Sequence, residues 1–364
     1  MFFRRLQQEK IVPPQVKVPH ALSDADIPVL RFGMIGFNAG QRQKIEKMVQ
    51  ALPVQTVVWR PGLMADADAW LVCGDKTRAL PLSTSTGTGI DSVSVLAGLP
   101  SEQAITLDLQ QIDRPLAFSL PLKNQAMVPR LTFDASSPDS VQTVLQQFER
   151  CLASLRSQCM LGKQLIEREP ELRAATYHVL HGSKLLAVMD LISWKIGMLP
   201  DTDPQQYEHA LWEKRPVEGH AIPNSFLMTD AAQLRWRYTQ HTQRNVLPIR
   251  YSREVIYLRQ SPHIPVSWLA DSHLLVIHEL SIQAATFVDL AERTGLSHEL
   301  LNRDLACLYF AAALTTRPGK ALQAHHQPRS TSGNPSSMFN PSLQLHHRMM
   351  PGADTTVAAQ LRPE

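Results

Sequence analysis

Cysteine is scarce in this chain of 364 residues, and its positions fit neither a zinc site nor a disulfide framework. The four cysteines, Cys73, Cys151, Cys159 and Cys307, are scattered, with no CxxC pair and no nearby histidine at metal-ligand spacing. We therefore expect no metal, no cofactor and no disulfide. Free cysteines of this kind are typical of the reducing cytoplasm.

Long apolar runs and strong charge are also missing. No stretch approaches the about 18 consecutive apolar residues of a membrane span, and no apolar core of a signal peptide follows the N-terminal MFFRRLQQEK. A net charge of +3 is too small to indicate a polyanionic partner by itself. The sequence predicts a globular protein of two or three domains that does not contact a membrane.

A catalytic constellation is lacking too. The loop PLSTSTGTGID, residues 81–91, has neither the GxxxxGK[ST] nor the GxGxxG spacing of a phosphate-binding loop. Four histidines lie near one another in the sequence without ligand spacing: His178, His181, His209 and His220. Because no nucleophile, base or metal cluster can be assembled from neighbouring positions, we expect a protein that is not an enzyme.

Short apolar runs alternate with polar or helical segments between residues 29 and 125. LRFGMIGF, VQTVVW and AWLVCG are typical of buried strands, residues 38–52 are typical of a helix, and SVSVLAGL, QAITLDL and RPLAFSLPL continue the pattern. The alternation predicts an α/β domain with a flavodoxin-like parallel sheet covered on both faces. Residues 1–28, interrupted by prolines, are expected to form an arm.

From Val29 to Leu122 this domain resembles the receiver domain of bacterial response regulators in size and strand order. Receivers carry an acidic pair after the first strand, a phosphoacceptor aspartate closing the third and a lysine closing the last; these positions are here Phe37 and Asn38, Cys73 and Gly74, and Ser119. Asp75, the nearest acid, lies too late. The resemblance implies a degenerate input domain that works without phosphorylation and contacts a protein partner, since no carboxylate cage could hold magnesium.

One long connecting helix is predicted over residues 138–169. Its apolar residues alternate spacings of four and three, as in a coiled-coil seam: Val141, Leu145, Phe148, Leu152, Leu155, Cys159, Gly162 and Ile166. Two interpretations remain open. The helix either forms a homodimer through residues 141–166 or lies against its own domains.

Residues 171–268 indicate a mixed α/β module, with a hairpin around Gly182 and a short helix over Asp203 to Lys214. The end of the module is rich in arginine and aromatic residues: Arg235, Arg237, Arg244, Arg250, Arg253 and Arg259, with Trp236, Tyr238, Tyr251 and Tyr257 between them. Arginine with aromatics suits nucleic acid or a nucleotide messenger. The alternation in IRYSREVIYLR also fits an ordinary strand with its arginines pointing outward.

Residues 271–316 predict a helix-turn-helix within a winged-helix-like domain. The first helix, capped by Asp271 or Ser272, would bury the face formed by Leu274, Leu275, Ile277, His278 and Leu280. Thr286 and Ser297 are expected to cap the second and third helices, and Gly295 supplies the left-handed turn between them. Residues 318–364, rich in Gln, His, Ser and Pro, are expected to be a disordered tail.

In winged-helix regulators the last of these helices reads the major groove with residues near its N-terminus. Here the candidate contacts to DNA are Ser297, His298, Asn302 and Arg303, whereas Glu299 and Asp304 would repel phosphates. The sequence therefore predicts a signalling or transcription-regulator-like protein. The alternative is an adaptor whose winged helix contacts protein and whose arginine-rich region binds a nucleotide messenger.

Overall fold

The computed structural model describes residues 27–53, 56–79, 92–96, 104–108, 113–123, 129–215 and 221–322. Outside these ranges lie the predicted N-terminal arm, apart from residues 27 and 28, the loop 81–91, His220 and the predicted tail after residue 322. Within the described ranges, no helix is both long enough and apolar enough to cross a bilayer.

A five-stranded parallel sheet dominates the N-terminal unit, residues 29–151. In chain order the elements are β1 (Val29–Ile35), α1 (Ala39–Gln50), β2 (Val58–Pro61), β3 (Ala69–Val72), β4 (Thr77–Ala79), β5 (Ser92–Leu96), β6 (Ala104–Asp108), β7 (Leu116–Ser119), β8 (Thr132–Phe133) and α2 (Pro138–Cys151). The sheet order is β2-β1-β3-β7-β8, with every neighbouring pair parallel. Counted within this sheet alone, the order is 2-1-3-4-5, as in flavodoxin-like sheets.

The two faces of this sheet are covered differently. Side chains from α1 and α2 pack with Phe32, Met34 and Leu71 on one face. On the other face Ile35, Val72 and Phe118 pack with Leu107 of β6, so part of the second cover is a strand instead of a helix. The strands predicted in SVSVLAGL and QAITLDL are present, but they form a separate antiparallel sheet, β4-β5-β6.

The helix predicted over 138–169 is two helices, because the backbone at Leu152 (ψ 15°) leaves helical geometry between α2 and α3 (Ala153–Glu167). The predicted seam is not a continuous exposed face either. Val141, Leu145 and Phe148 are buried against the parallel sheet, and Cys159 is buried on α3. These seam residues pack within their own chain, as the second interpretation of the pattern required.

The middle unit, residues 153–241, is an antiparallel sheet with helices packed on it. After α3 come β9 (Thr176–His181), β10 (Lys184–Asp190), β11 (Lys195–Met198), α4 (Pro204–Glu208), β12 (Leu211–Arg215), β13 (Leu227–Asp230) and α5 (Ala231–His241). The sheet order is β12-β9-β10-β11-β13. The hairpin at Gly182 (φ 59°) is confirmed. The helix predicted over Asp203 to Lys214 ends at Glu208, since Leu211–Arg215 pairs with β9 as a strand.

The C-terminal unit, residues 249–315, contains β14 (Tyr257–Leu258), α6 (Asp271–Ile282), α7 (Phe287–Thr294), α8 (His298–Phe310) and β15 (Leu314–Thr315). Thr286 and Ser297 cap α7 and α8, and Gly295 has the predicted left-handed backbone (φ 66°). Strand β15 pairs with β14. In the part of the chain that the structure describes, α8 is followed by β15 and a short 3-10 turn and by no wing hairpin.

Two expectations for this unit are wrong. Helix α6 buries His273, Val276 and Leu280, whereas Leu274 and His278 face solvent, so its inner face is rotated from the predicted one. The arginine-rich IRYSREVIYLR contains a 3-10 helix, Ile249–Ser252, and only the two-residue strand β14. In both places tertiary contacts override a local pattern that was compatible with more than one structure.

Gly162 provides a test of the packing between α3 and α5. A Cβ added there would lie 2.2 Å from the Leu234 carbonyl oxygen, so we expect Gly162→Ala to lower the free energy of unfolding by about 1–3 kcal/mol. Gly40→Ala is the matched control, because its added Cβ would meet only Asn38 Oδ1, at 3.5 Å. Urea unfolding measures both variants. Equal stability of Gly162→Ala and the parent protein would contradict the close helix approach.

Candidate interaction surfaces

Helix α8, the predicted recognition helix, lies at the centre of the C-terminal unit. Leu301, Leu305 and Leu308 are fully buried, and they share one core with Trp236 of α5. Both α5 and α6 pack against α8. A helix that reads the major groove must present a face to DNA, whereas α8 exposes mainly its first turn.

The four predicted groove contacts are of two kinds. Ser297 and His298 are exposed, with the Ser297 hydroxyl accepting the Leu300 N–H at 3.3 Å. Asn302 and Arg303 are half-buried, and the Asn302 amide donates to Asn245 Oδ1 at 3.0 Å. Ser297 and His298 are therefore the better placed pair, since Asn302 would have to give up a contact within the chain.

Asp304, expected to face phosphates, points into the protein instead. It is 1% exposed and lies 3.4 Å from Nε2 of His273, itself 3% exposed. Burial, with the charge of Arg303, lowers the pKa of His273 to about 4, and burial raises the pKa of Asp304 to about 6. His273 is thus neutral at pH 7. Its proton lies on Nε2 because Nδ1 accepts the Ala270 N–H, so the two side chains form no ion pair.

The arginine-rich stretch begins with two arginines that support the packing of α5. The Arg235 side chain is largely buried, with its guanidinium 3.8 Å from Glu169. Arg237 stacks on Trp268, 3.7 Å from the ring centroid, and burial lowers the pKa of Arg237. Neither guanidinium is placed to contact a nucleic acid or a nucleotide.

Arg250, Arg253 and Arg259, by contrast, are all exposed. Arg250 lies over two rings, 5.3 Å from the centroid of Tyr251 and 5.9 Å from that of Tyr309. Arg244 is exposed too, but its guanidinium pairs with Glu167 Oε1 at 2.7 Å, so Arg250, Arg253 and Arg259 are the candidate contacts that are open to a ligand. Sequence reasoning missed Tyr309 as a surface partner, because its spacing places it on the apolar face of α8.

The carboxyl edge of the parallel sheet carries the positions where receivers hold their phosphorylation residues. Asn38 caps α1, the Gly74 N–H donates to the Ser119 hydroxyl at 3.0 Å, and Asp75 is exposed on a 3-10 turn. A Cβ at Gly74 would lie 2.0 Å from the Ser119 carbonyl oxygen, so backbone fills this edge. Over the described residues, no group of three or more metal-ligating side chains occurs.

A groove of about 330 Å³ lies beside β2, the edge strand of the parallel sheet, between α1 and α2. Its walls include Val49, Leu52 and Leu145, and the Trp59 indole N–H donates to Glu149 at 3.1 Å. Edge strands offer unpaired backbone groups to an added peptide. Sequence reasoning missed this groove, since its walls come from segments that are far apart in the chain.

A buried contact joins the N-terminal unit to α5. His241 Nε2 lies 2.9 Å from Asp68 Oδ1, and Nδ1 lies 2.7 Å from the Arg237 carbonyl oxygen. Burial alone would lower the pKa of His241, but the charge and hydrogen bond of Asp68 raise it to about 10. Both ring nitrogens therefore donate. Asp68 also accepts the Arg31 N–H at 2.8 Å.

Comparison of the chain with known proteins gives no match. No family model, no curated protein and no solved structure matches the chain significantly.

The Asp68–His241 pair predicts a specific pH dependence. The folded state holds a proton on His241 that the unfolded state releases above pH 6.5, so this stabilisation is complete below pH 6.5 and is lost as the pH rises to about 10. In Asp68→Asn the charge that raises the pKa of His241 is removed, and burial then lowers this pKa below its ordinary value. The variant should therefore lose stability below pH 6.5, where the unfolded state binds a proton that the folded state does not. At pH 7 we expect a loss of about 3–5 kcal/mol.

Urea midpoints of the parent protein and Asp68→Asn, measured from about pH 5 to about pH 9, test this. Asp113→Asn is the control, because Asp113 is 77% exposed and its ion pair with Arg114 lies at the surface. Its loss should stay below about 1 kcal/mol, with the parent's pH slope. Parallel pH profiles for the parent and Asp68→Asn would show that the pair does not carry the charge assigned to it.

Proposed function

We propose that this chain is a non-enzymatic signalling protein, in which a receiver-like input domain that needs no phosphorylation is coupled to a C-terminal helix-turn-helix unit. Support for the receiver-like assignment is the strand order β2-β1-β3-β7-β8. The carboxyl edge of that sheet carries Asn38, Gly74 and Ser119 in place of the acidic and basic residues of phosphorylated receivers. Input therefore comes from a bound partner, for which the groove beside β2 is the natural place.

Helix α5 couples the N-terminal unit to the C-terminal unit. Its C-terminal residue His241 contacts Asp68 in the N-terminal unit, and the Arg31 guanidinium donates to the Gln240 carbonyl oxygen at 3.0 Å. Trp236 on the same helix packs into the core that holds α8. A shift of α5 would move both contacts together, which is the physical requirement for a signal to pass.

Helix α8 packs against both α5 and α6, and this packing covers most of the predicted recognition helix. The C-terminal unit therefore acts as an adaptor that contacts protein. Helix α6 supplies the surface, since Leu274 (47% exposed), His278 and Ile282 (61% exposed) follow one another at i, i+4 and i+8. An exposed stripe with two large apolar side chains on one face of a helix offers a surface for a protein contact.

A transcription regulator that binds DNA is the second candidate. The exposed guanidinium groups of Arg250, Arg253 and Arg259 favour it, together with the exposed first turn of α8 at Ser297 and His298. It requires α5 to leave α8 before the helix can enter a major groove.

Exposure to a phosphoryl donor tests the input domain directly. Incubation with Mg²⁺ and acetyl phosphate should leave the mass of the protein unchanged, because Phe37 and Asn38 occupy the positions whose carboxylates would hold the metal beside Asp75. A receiver with its acidic residues intact is the positive control, and intact-mass spectrometry is the measurement. Addition of one phosphoryl group that disappears in Asp75→Asn would overturn this part of the proposal.

Fluorescence anisotropy against a pool of labelled duplex DNA, at about 50 mM and about 200 mM salt, separates the two candidates. We expect no binding that depends on Arg303, because the helix that carries it is covered. Arg303→Glu is compared with Arg173→Glu, an equal charge change at an exposed arginine of the middle unit. Saturable binding that Arg303→Glu weakens and Arg173→Glu preserves would favour the DNA-binding regulator.

The adaptor assignment is tested with a photoreactive amino acid placed at Leu274 or, as the control, at the exposed Glu171 of the middle unit. We expect a discrete crosslinked protein from position 274 alone. Ile282→Glu should then abolish the crosslink without lowering stability, since this side chain is 61% exposed. A crosslink that survives Ile282→Glu would show that the stripe on α6 is not the contact.

A further inference from the structure

The surface around Tyr251 brings together two cationic groups from separate segments. Arg250 lies on the 3-10 helix Ile249–Ser252, and Arg259 follows β14 directly, its N–H donating to the Ala313 carbonyl oxygen at 2.7 Å. Ala313 precedes Leu314, whose carbonyl oxygen accepts the Tyr251 hydroxyl, so the backbone of Arg259 lies beside the segment that contacts Tyr251. Glu254 is the acid nearest in sequence, and no carboxylate of the described residues forms an ion pair with either arginine.

An aromatic wall stands beside these charges. The rings of Tyr251 and Tyr309 lie 5.2 Å apart at 58°, and Arg250 lies over both. The Tyr251 side chain is held in place, since it is buried and its hydroxyl donates to the Leu314 carbonyl oxygen at 3.3 Å. Tyr309 is only partly buried, so its side chain reaches the surface.

We propose that Arg250, Arg259 and Tyr309 form a binding site for a nucleotide. The two guanidinium groups bind a phosphate, for which arginine supplies paired N–H donors, and the base stacks on Tyr309. The two arginines lie on segments that flank one tyrosine, Tyr251, and two cationic groups suit the phosphate of a single nucleotide better than the repeated phosphates of a nucleic acid strand. The site is independent of the proposed adaptor function.

More positive charge lies near this site in the sequence. Arg253 is exposed at the end of the same 3-10 helix, and Arg317 and Lys320 are exposed on the turn that follows β15. That turn returns to β14, because the Leu322 N–H donates to the Leu258 carbonyl oxygen at 2.7 Å. These residues add an attractive field for a polyphosphate, which raises its rate of association.

Isothermal titration of the full chain with GTP, ATP and cyclic diguanylate tests the site, with pyrophosphate and a thymidine 12-mer as comparison ligands. We expect at least one nucleotide to bind, and Arg250→Ala/Arg259→Ala to weaken it about tenfold to about 100-fold, the effect of losing charged hydrogen bonds. Arg173→Ala, which removes an exposed arginine elsewhere, should leave the affinity unchanged.

Tyr309→Leu separates stacking from phosphate binding. The substitution keeps an apolar side chain against the core but removes the aromatic face, so we expect nucleotide affinity to fall about tenfold while pyrophosphate affinity stays the same. Thermal unfolding of each variant shows that the fold is intact. Absence of nucleotide binding, or equal affinity of the parent and the double arginine variant, would overturn the proposal.

The remaining outcomes identify other ligands and also count against it. Pyrophosphate binding as tight as that of the nucleotides, and insensitive to Tyr309→Leu, would mean a simple phosphate site. Preference for the 12-mer over every nucleotide would mean a single-strand contact. DNA binding that depends on Arg303 is a separate result: it would count against the proposed adaptor function and not against the nucleotide site.

Discussion

The buried pair of His241 and Asp68 holds together two parts of the chain that are 173 residues apart in sequence. Removing both groups from water is costly, and their attraction offsets that cost only when the remaining polar atoms are satisfied. Here they are: His241 also donates to the Arg237 carbonyl oxygen, and Asp68 accepts the Arg31 N–H. The pair fixes the end of α5 against the N-terminal unit, and other contacts of this helix follow from that position.

The position of α5 then determines which side chains of the C-terminal unit are exposed. Gly162 allows the backbone of α5 to approach α3 closely, and Trp236 extends the α8 core across the two units. Arg235 and Arg237 take part in this packing and Arg244 pairs with Glu167, whereas Arg250, Arg253 and Arg259 are exposed without an ion pair among the described residues. One helix thus covers the recognition surface expected from the sequence and separates structural arginines from those that are open to ligands.

Local patterns predicted elements better than they predicted faces. The caps Thr286 and Ser297 and the turn at Gly295 were predictable, because each depends on a few neighbouring residues. The inner face of α6 was not predictable, since apolar residues occur on several sides of the helix. The side that is buried carries His273, which stacks on Trp236. The strands in SVSVLAGL and QAITLDL were recognised, but their pairing partners depend on contacts between distant residues.

Local sequence was enough to predict four of the five strands of the parallel sheet, all except β8, together with the Gly182 hairpin and the capped helices joined at Gly295, because periodicity, caps and left-handed glycines act over a few residues. Long-range packing alone set the break of the helix over 138–169 at Leu152, the covering of α8, and the position of Arg250 over Tyr251 and Tyr309. These outcomes depend on which surfaces pack together and exclude water, and on which buried charges are paired. The groups involved lie in segments that are far apart in the chain, so a local sequence pattern carries no information about their contacts.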